Sequence, residues 1–516
     1  MYESICNRLR PGLATWLVLA LPVMVSRATG QPAGNAVPQA AAPAVAQLQD
    51  AVRRAIARAE PAVVAIAVIP DRPDDAALGV LDLGRPFLDP ERLASDATDP
   101  RSVDALPGRF ASGVRIDNQG HILTTYHALG DPRHHTYVVW VQGRAFKAER
   151  VVPPPQVVAG DPWTDLALLK IARQGTPIEL GRGDRVTRGT FVIALGNPYA
   201  VARDGRPSAA WGIIANRRRA LAPRSTGASP RAPRDTLHHY GTLLQTDVRL
   251  PLGTSGGALV NLQGRLIGIT TSMAPLAGYD QGAGYAIPVD ETFRQTLQTL
   301  KQGRVPAFGF LGVQPEDLTE RERRIIGDGV RVVRVVRGTA ADRAGLQVGD
   351  VITRVNGTRL HSKHDLIREI SRLPMSTVAR LSINRAEPDP DRHQQIELSV
   401  QLDKKPLDTR LPPFESAGRA AWRGIHVDHA TAMPPSIRRA EVSLPRGRGA
   451  VAVVGVDRDS PAWRAGLRPG FYITAVNGHP VESPAAFEQA VKDQAKTVQL
   501  TVVGSSPRPA TLTVPP

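Results

Sequence analysis

Short apolar runs parted by Gly, Pro, Asn and Asp set the pattern of the first part of the chain. Apolar residues at helical spacing over 48–59 predict one amphipathic helix, and the apolar run 61–68 predicts a strand. Further strands are expected at 110–116, 122–126, 136–141, 150–152, 166–171, 190–195, 210–215, 241–246, 258–260, 266–271 and 284–287, with a closing helix over 288–300. So many short strands with so little helix predict an all-β barrel or sandwich pair. Two stretches lack periodicity and read as loops. One is the Pro/Asp/Arg-rich insertion 70–107, and the other is the Arg/Pro/Ser-rich segment 217–234.

Beyond Pro306 the pattern changes to mixed α/β and repeats itself. The run from Gly338 through Gly345 and Asp350 to Asn356-Gly357 is echoed by the run from Asp459 through Gly466 and Phe471 to Asn477-Gly478, at a constant offset of 121 residues. Two copies of one supersecondary unit is the economical reading. The Pro-rich segment between them reads as a linker.

Composition narrows the classes. With 516 residues, the chain has room for about three domains, and 42% hydrophobic with 22% charged residues describes an ordinary globular protein. The formal net charge is +16, but the arginines are scattered through every segment without interleaved aromatics. A diffuse excess of this kind supports non-specific attraction to anions, not a specific nucleic-acid platform. The N-terminus places Arg8 and Arg10 before the apolar run 13–25 and then small residues, the pattern of a secretory signal; an uncleaved membrane anchor is the alternative. Cys6, the single cysteine, falls inside that signal. The mature chain is then expected to lack thiols, which excludes disulfides, cysteine zinc sites and a cysteine nucleophile.

The candidate chemistry centres on Gly253-Thr254-Ser255-Gly256-Gly257, a serine between glycines that runs straight into an apolar strand. A hydroxyl nucleophile needs freedom to aim its oxygen and N–H groups converging on the oxyanion. By itself the stretch could equally be a glycine-rich hairpin turn. His127 stands at a strand terminus as a candidate base, and Asp165 directly precedes the apolar strand 166–171 as a candidate acid, with Asp161 as its alternative. In the order His–Asp–Ser on an all-β chain, the three match the order found in double-barrel serine proteases.

Five motifs in order, Thr124-Thr125-Tyr126-His127-Ala128, Thr164-Asp165-Leu166-Ala167, Ala194-Leu195-Gly196-Asn197-Pro198, Gln245-Thr246-Asp247 and Gly253-Thr254-Ser255-Gly256-Gly257, resemble the HtrA/Deg family of trypsin-like serine proteases, and the repeats resemble PDZ domains. The resemblance implies an all-β chymotrypsin-like double barrel of two six-stranded barrels followed by two small α/β PDZ-like domains. It divides the chain into a signal peptide (1–30), a flexible leader (31–47), the protease domain (48–303), a PDZ-like domain (304–404), a linker (405–416) and a second PDZ-like domain (417–516). It also implies no metal and no cofactor, unfolded or misfolded extracytoplasmic proteins as substrates, a periplasmic location, and assembly as a homotrimer or larger. Carried over by position, His127 would be the general base, Asp165 its orienting partner and Ser255 the nucleophile. The N–H groups of Gly253 and Ser255 would form the oxyanion hole, and Thr271, Ser272 and Met273 would lie near the specificity pocket. Peptide termini would bind at Phe310, Leu311, Gly312 and Val313 and at Gly424 and Ile425. The chain departs from the family pattern at Pro251-Leu252 before the nucleophile loop, at Tyr126 before the histidine, at Ala111 before Ser112, and at Phe471, where an Asp is usual. The altered loop at 251–254 leaves open a second reading, a proteolytically silent chaperone or scaffold.

Overall fold

The computed structural model describes residues 41–71, 109–141, 144–148, 157–197, 206–220, 236–271, 284–386, 393–407, 409, 411–418, 421–434, 437, 449–504 and 508–516. The expected signal segment, the insertion 72–107, the strand at 150–152 and most of the loop 217–234 lie outside these residues. The N-terminal helix runs Ala41–Ala59 and so begins inside the stretch expected as flexible leader. The alanines there are strong helix formers, and Pro43 falls in the first turn, where no intrahelical N–H is lost.

The first β layer is organised around Val63–Pro70, paired antiparallel with Arg109–Arg115 on one side and His135–Val141 on the other. Alternation splits this strand's side chains between two packed faces. Val64, Ile66 and Val68 meet Ile122, Tyr126 and Val139, while Ala65 and Ala67 meet Val138 and Trp140. The sheet continues through His121–Thr125, Leu166–Lys170 and Val157–Asp161, and on the other side ends at Arg144–Ala148. Among the described residues that gives seven strands in an open path, where the family resemblance implied six in a barrel.

An eighth strand comes from far along the chain. Phe414–Glu415, in the segment expected as a linker, pairs with Ala159 and Gly160. Leu411 and Phe414 pack on the first-layer core, and the Tyr126 hydroxyl donates to the Pro412 carbonyl at 2.6 Å. Gly160 makes this fit, since any Cβ there would collide with the Tyr126 ring. The linker is therefore strapped to the sheet, because its apolar residues find an open strand edge.

The second layer is a closed six-stranded barrel in the order Leu243–Thr246, Gly284–Pro288, Leu266–Thr271, Ala258–Val260, Phe191–Gly196, Ser208–Arg219. Its last strand runs on to Arg219, past the end expected at 215. Val114, Leu123, Leu166 and Leu168 of the first layer share one core with Ile193, Leu195, Ala258 and Ile269 of the barrel. The helix Glu291–Lys301 adds Phe293, Leu297 and Leu300 to that core, and Asp290 caps it by accepting from the Phe293 N–H at 2.9 Å.

Two sheets of one topology follow. The first runs Val313–Asp317, Val330–Val335, Val351–Val355, Val378–Ala386, His393–Gln401, and the second Ile425–His429, Val451–Val456, Tyr472–Val476, Val498–Val503, Ala510–Val514. Each carries one helix between its third and fourth strands, Lys363–Ser371 and Pro484–Val491 respectively.

Candidate active site

His127 lies in a single helical turn, Tyr126–Leu129, that follows the strand His121–Thr125. Asp165 meets this turn with three hydrogen bonds. Its carbonyl accepts from the Tyr126 N–H at 3.0 Å, and its carboxylate accepts from the His127 N–H at 2.8 Å and from the His127 ring Nδ1 at 2.7 Å. The carboxylate is 2% exposed and the imidazole 34%. Because an ionised carboxylate only accepts, Nδ1 carries the hydrogen, and Nε2 of the neutral ring is left as the basic nitrogen. Burial by itself would lower the His127 pKa, but the Asp165 charge and hydrogen bond more than offset this and hold it above the ordinary value.

Asp161, the alternative acid, is turned elsewhere. It accepts from the N–H groups of Trp163 (3.0 Å) and Thr164 (3.2 Å) and from the Thr164 hydroxyl (2.6 Å). Burial pushes its carboxyl up to about 6 in spite of these donors. Its bonds close the turn that delivers Asp165, whose φ of 56° lies in the left-handed region.

The serine loop sits against the same strands. Ser112, on the strand Arg109–Arg115, donates its N–H to the Ser255 carbonyl (2.8 Å) and its hydroxyl to the Gly253 carbonyl (2.7 Å). The same hydroxyl accepts from the Asn197 N–H at 2.7 Å, and Thr124 donates to the Ser112 carbonyl at 2.7 Å. Gly256 (φ 85°) permits this approach, since a Cβ there would strike the Thr124 hydroxyl and the Ser112 carbonyl. Ser255 is thus held, 6% exposed, against the strand Arg109–Arg115, which pairs with the strand leading into His127.

Pro251 to Thr254 form a turn closed by the Thr254 N–H on the Pro251 carbonyl at 3.1 Å, with Gly253 at φ 94°. A positive φ at the third position is the type II signature, and it requires glycine. The Gly253 N–H meets no acceptor among the described residues. The unusual Pro251-Leu252 pair therefore leaves the turn's backbone geometry intact.

Of the expected pocket residues, Thr271 is buried at the end of its barrel strand, while Ser272 and Met273 lie outside the described residues. In the first repeat, Phe310 pairs with Asp403, Leu311 is buried, Gly312 has φ 86° and Val313 opens the edge strand facing the helix Lys363–Ser371. In the second repeat, Gly424 has φ 83° and Ile425 opens the edge strand. A feature without a sequence signal is Arg423, whose guanidinium donates to the carbonyls of Val514, Pro515, Gln494 and Lys496 and ties the end of the chain to this loop.

Residues 111–269 match the trypsin-like peptidase domain family, and residues 309–402 and 453–503 match PDZ domain families. Fold and site thus define a trypsin-like serine peptidase followed by two PDZ domains. Relatives include the probable periplasmic serine endoprotease DegP-like of Pseudomonas putida (strain GB-1), 30% identical over 394 residues that cover 75% of this chain and 74% of its own. The protein of the same description from Chlamydia trachomatis (serovar D) is 29% identical over 401 residues, 76% and 71% of the two chains. Among solved structures, one described as "HtrA-type protease AlgW with tripeptide" is 25% identical, covering 69% of this chain and 97% of that one with a TM-score of 0.48. The chain belongs to the family of DegP-like serine endoproteases and is a serine endopeptidase acting on protein substrates.

Proposed function

We propose that Ser255 is the nucleophile, His127 the general base and Asp165 the residue that orients and stabilises the imidazolium. The observation that carries this reading is the double hold of the Asp165 carboxylate on His127, at 2.8 and 2.7 Å. Ser255 Oγ attacks the scissile carbonyl while His127 Nε2 takes the hydroxyl proton. The oxyanion is met by the N–H groups of Gly253 and Ser255, and the imidazolium returns the proton to the leaving amine. Water activated by the same imidazole then hydrolyses the acyl-enzyme, and Ser255 is regenerated. The type II turn at 251–254 supports a formed oxyanion hole and favours this reading over a silent scaffold.

The domain division at 48–303, 304–404 and 417–516, export to the periplasm, unfolded proteins as the substrate class, capture of chain termini along the Val313–Asp317 and Ile425–His429 edges, and homo-oligomeric assembly belong to the same proposal. They are supported by the names of the relatives and by the open sheet edges.

Ser255→Ala is expected to reduce casein cleavage by about three or more orders of magnitude, and a fluorophosphonate probe should label the wild type and spare the variant. Undiminished cleavage by the variant, or no labelling of the wild type, removes Ser255 from the chemistry. The base must be neutral to work. Activity should therefore be full at high pH and fall on acidification, with an apparent pKa above the ordinary histidine value of 6.5 because Asp165 raises it.

A further inference from the structure

Behind Asp165 lies a second imidazole that the triad chemistry does not use. His238 sits in the short helical turn Leu237–Tyr240 that leads into the second barrel, and it is 2% exposed. Its Nε2 is 2.9 Å from the Thr164 carbonyl oxygen, and its Nδ1 is 2.7 Å from the Thr242 hydroxyl. A carbonyl only accepts, so Nε2 carries the hydrogen and donates, while Nδ1 accepts from Thr242. The ring is then neutral with both nitrogens used. Burial holds its pKa below the ordinary value, although the Asp165 charge pulls the other way.

A histidine with two hydrogen bonds in a protein core is ordinary. What sets His238 apart is where its bond lands. Thr164 immediately precedes Asp165, and the neighbouring Leu237 N–H donates to the Trp163 carbonyl at 2.7 Å. Two successive carbonyls of the turn 161–165 are therefore held from the side of the second barrel, while the Asp161 carboxylate closes the turn from within. Asp165 leaves that turn in a left-handed backbone conformation, which a side chain such as aspartate keeps only where its surroundings over-determine it.

We propose that His238 is a positioning residue for the peptidase reaction: its Nε2–H fixes the Thr164 carbonyl, Thr242 fixes the tautomer that makes this possible, and together they hold the Asp165 carboxylate on the His127 ring. The two β layers thereby contribute jointly to the placement of one carboxylate. The inference rests on the triad reading above.

The test uses the full-length protein and initial rates on casein. His238→Leu keeps the bulk and removes the donor, whereas His238→Gln can offer an amide N–H to Thr164 and an oxygen to Thr242. His238→Leu should lower kcat by about 10- to 100-fold, the scale of a small misplacement of a catalytic group, with KM within about twofold. Its acid limb should move to lower pH, because a displaced Asp165 no longer raises His127. The ionisable groups that share this environment are Asp165, His127, Asp161, Arg109 and His239. His238→Gln should recover most of the activity and the wild-type acid limb. If His238→Leu does not fold, Thr242→Val carries the test, with kcat expected to fall about threefold or more and the acid limb to shift the same way.

A His238→Leu variant with kcat within about twofold of wild type overturns the proposal. So does equal loss in the Leu and Gln variants with an unshifted acid limb, or a Thr242→Val enzyme indistinguishable from wild type. Ser255→Ala separates the two readings: if it still cleaves casein, the triad reading has failed, whereas a dead Ser255→Ala beside a fully active His238→Leu removes His238 alone.

Discussion

The two PDZ domains share strand order, helix placement and turn glycines, yet they are held in different ways. The first is bolted to the protease. Trp163, from the turn that carries Asp165, donates its indole N–H to the Ser371 carbonyl at 3.3 Å and packs with Leu237 and Phe308. Arg368 donates to the Tyr240 carbonyl at 3.2 Å, and Arg372 pairs with Asp290 at 2.6 Å. The helix Lys363–Ser371 therefore lies between the edge strand Val313–Asp317 of the first PDZ domain and the turn that carries Asp165. Among the described hydrogen bonds, the second domain meets the protease region only where its first residue, Ala417, donates its N–H to the Gly303 carbonyl at 3.1 Å. It is attached to the first domain through Lys404 on Asp428 at 2.7 Å and the Thr431 hydroxyl on the Lys404 carbonyl at 2.8 Å. Their internal cores also diverge at one equivalent position. Asp350, 1% exposed, forms a bidentate pair with Arg385 at 2.8 Å, where the second domain places Phe471 over Gly504. The difference teaches that one fold can be closed at the same turn by an ion pair or by an aromatic ring, and that two copies of one repeat can differ in which of them rests on the Asp165 turn.

The contrast can be broken at several points, from the largest expected effect downward. Trp163→Ala should cost about 3–5 kcal/mol, as for other buried large-to-small changes, and should lower kcat as well, because the ring belongs to the Asp165 turn. Urea denaturation and casein kinetics check both, and unchanged kcat would show that the joint is only structural. Ending the chain after Lys404 removes the strap with Leu411 and Phe414 and should cost about 2–4 kcal/mol of buried apolar contact. Ending it after Ala417 should leave protease-domain stability and kcat nearly as they were, and thermal unfolding of the two truncations compares them directly. Asp350→Ala strands the Arg385 guanidinium and should cost about 3 kcal/mol, while Phe471→Ala, at a partly exposed site, should cost about 1–2 kcal/mol. Equal losses in denaturant midpoints would argue that the two closures are equivalent. Smallest of all, Lys404→Ala should cost about 1 kcal/mol and speed amide exchange around Asp428 without altering casein turnover.

Much of the architecture is legible in the order of residues. Most strand positions, the offset between the repeats, and His127, Asp165 and Ser255 as the residues of interest follow from periodicity and residue order, because hydrophobic alternation and turn residues act over a few neighbours. The strands Arg144–Ala148 and Val157–Asp161 are not among those expected. Asp165 against Asp161 cannot be decided that way, since both are carboxylates beside one apolar strand. Only the turn between them, with Asp161 accepting from Trp163 and Thr164, aims Asp165 at the ring. The turn Pro251 to Thr254 is a similar case. Pro251-Leu252 reads as a departure in the chain, but the backbone angle at Gly253 still gives a type II turn, because position in the turn outweighs the identity of its first two residues.

What the sequence determined, then, is whatever depends on spacing: the double-layered β protease region, the repeated C-terminal unit, and a glycine-flanked serine with His127 and Asp165 as candidates to serve it. The tertiary structure alone decided which distant groups touch. Phe414–Glu415 adds a strand to a sheet whose own strands end at residue 170, His238 reaches the carbonyl beside Asp165, and the first PDZ domain rather than the second rests on Trp163. Each of these contacts joins residues dozens to hundreds of positions apart through a single backbone carbonyl or an open strand edge. Such groups are present at every residue, and so they leave no mark in the order of the side chains.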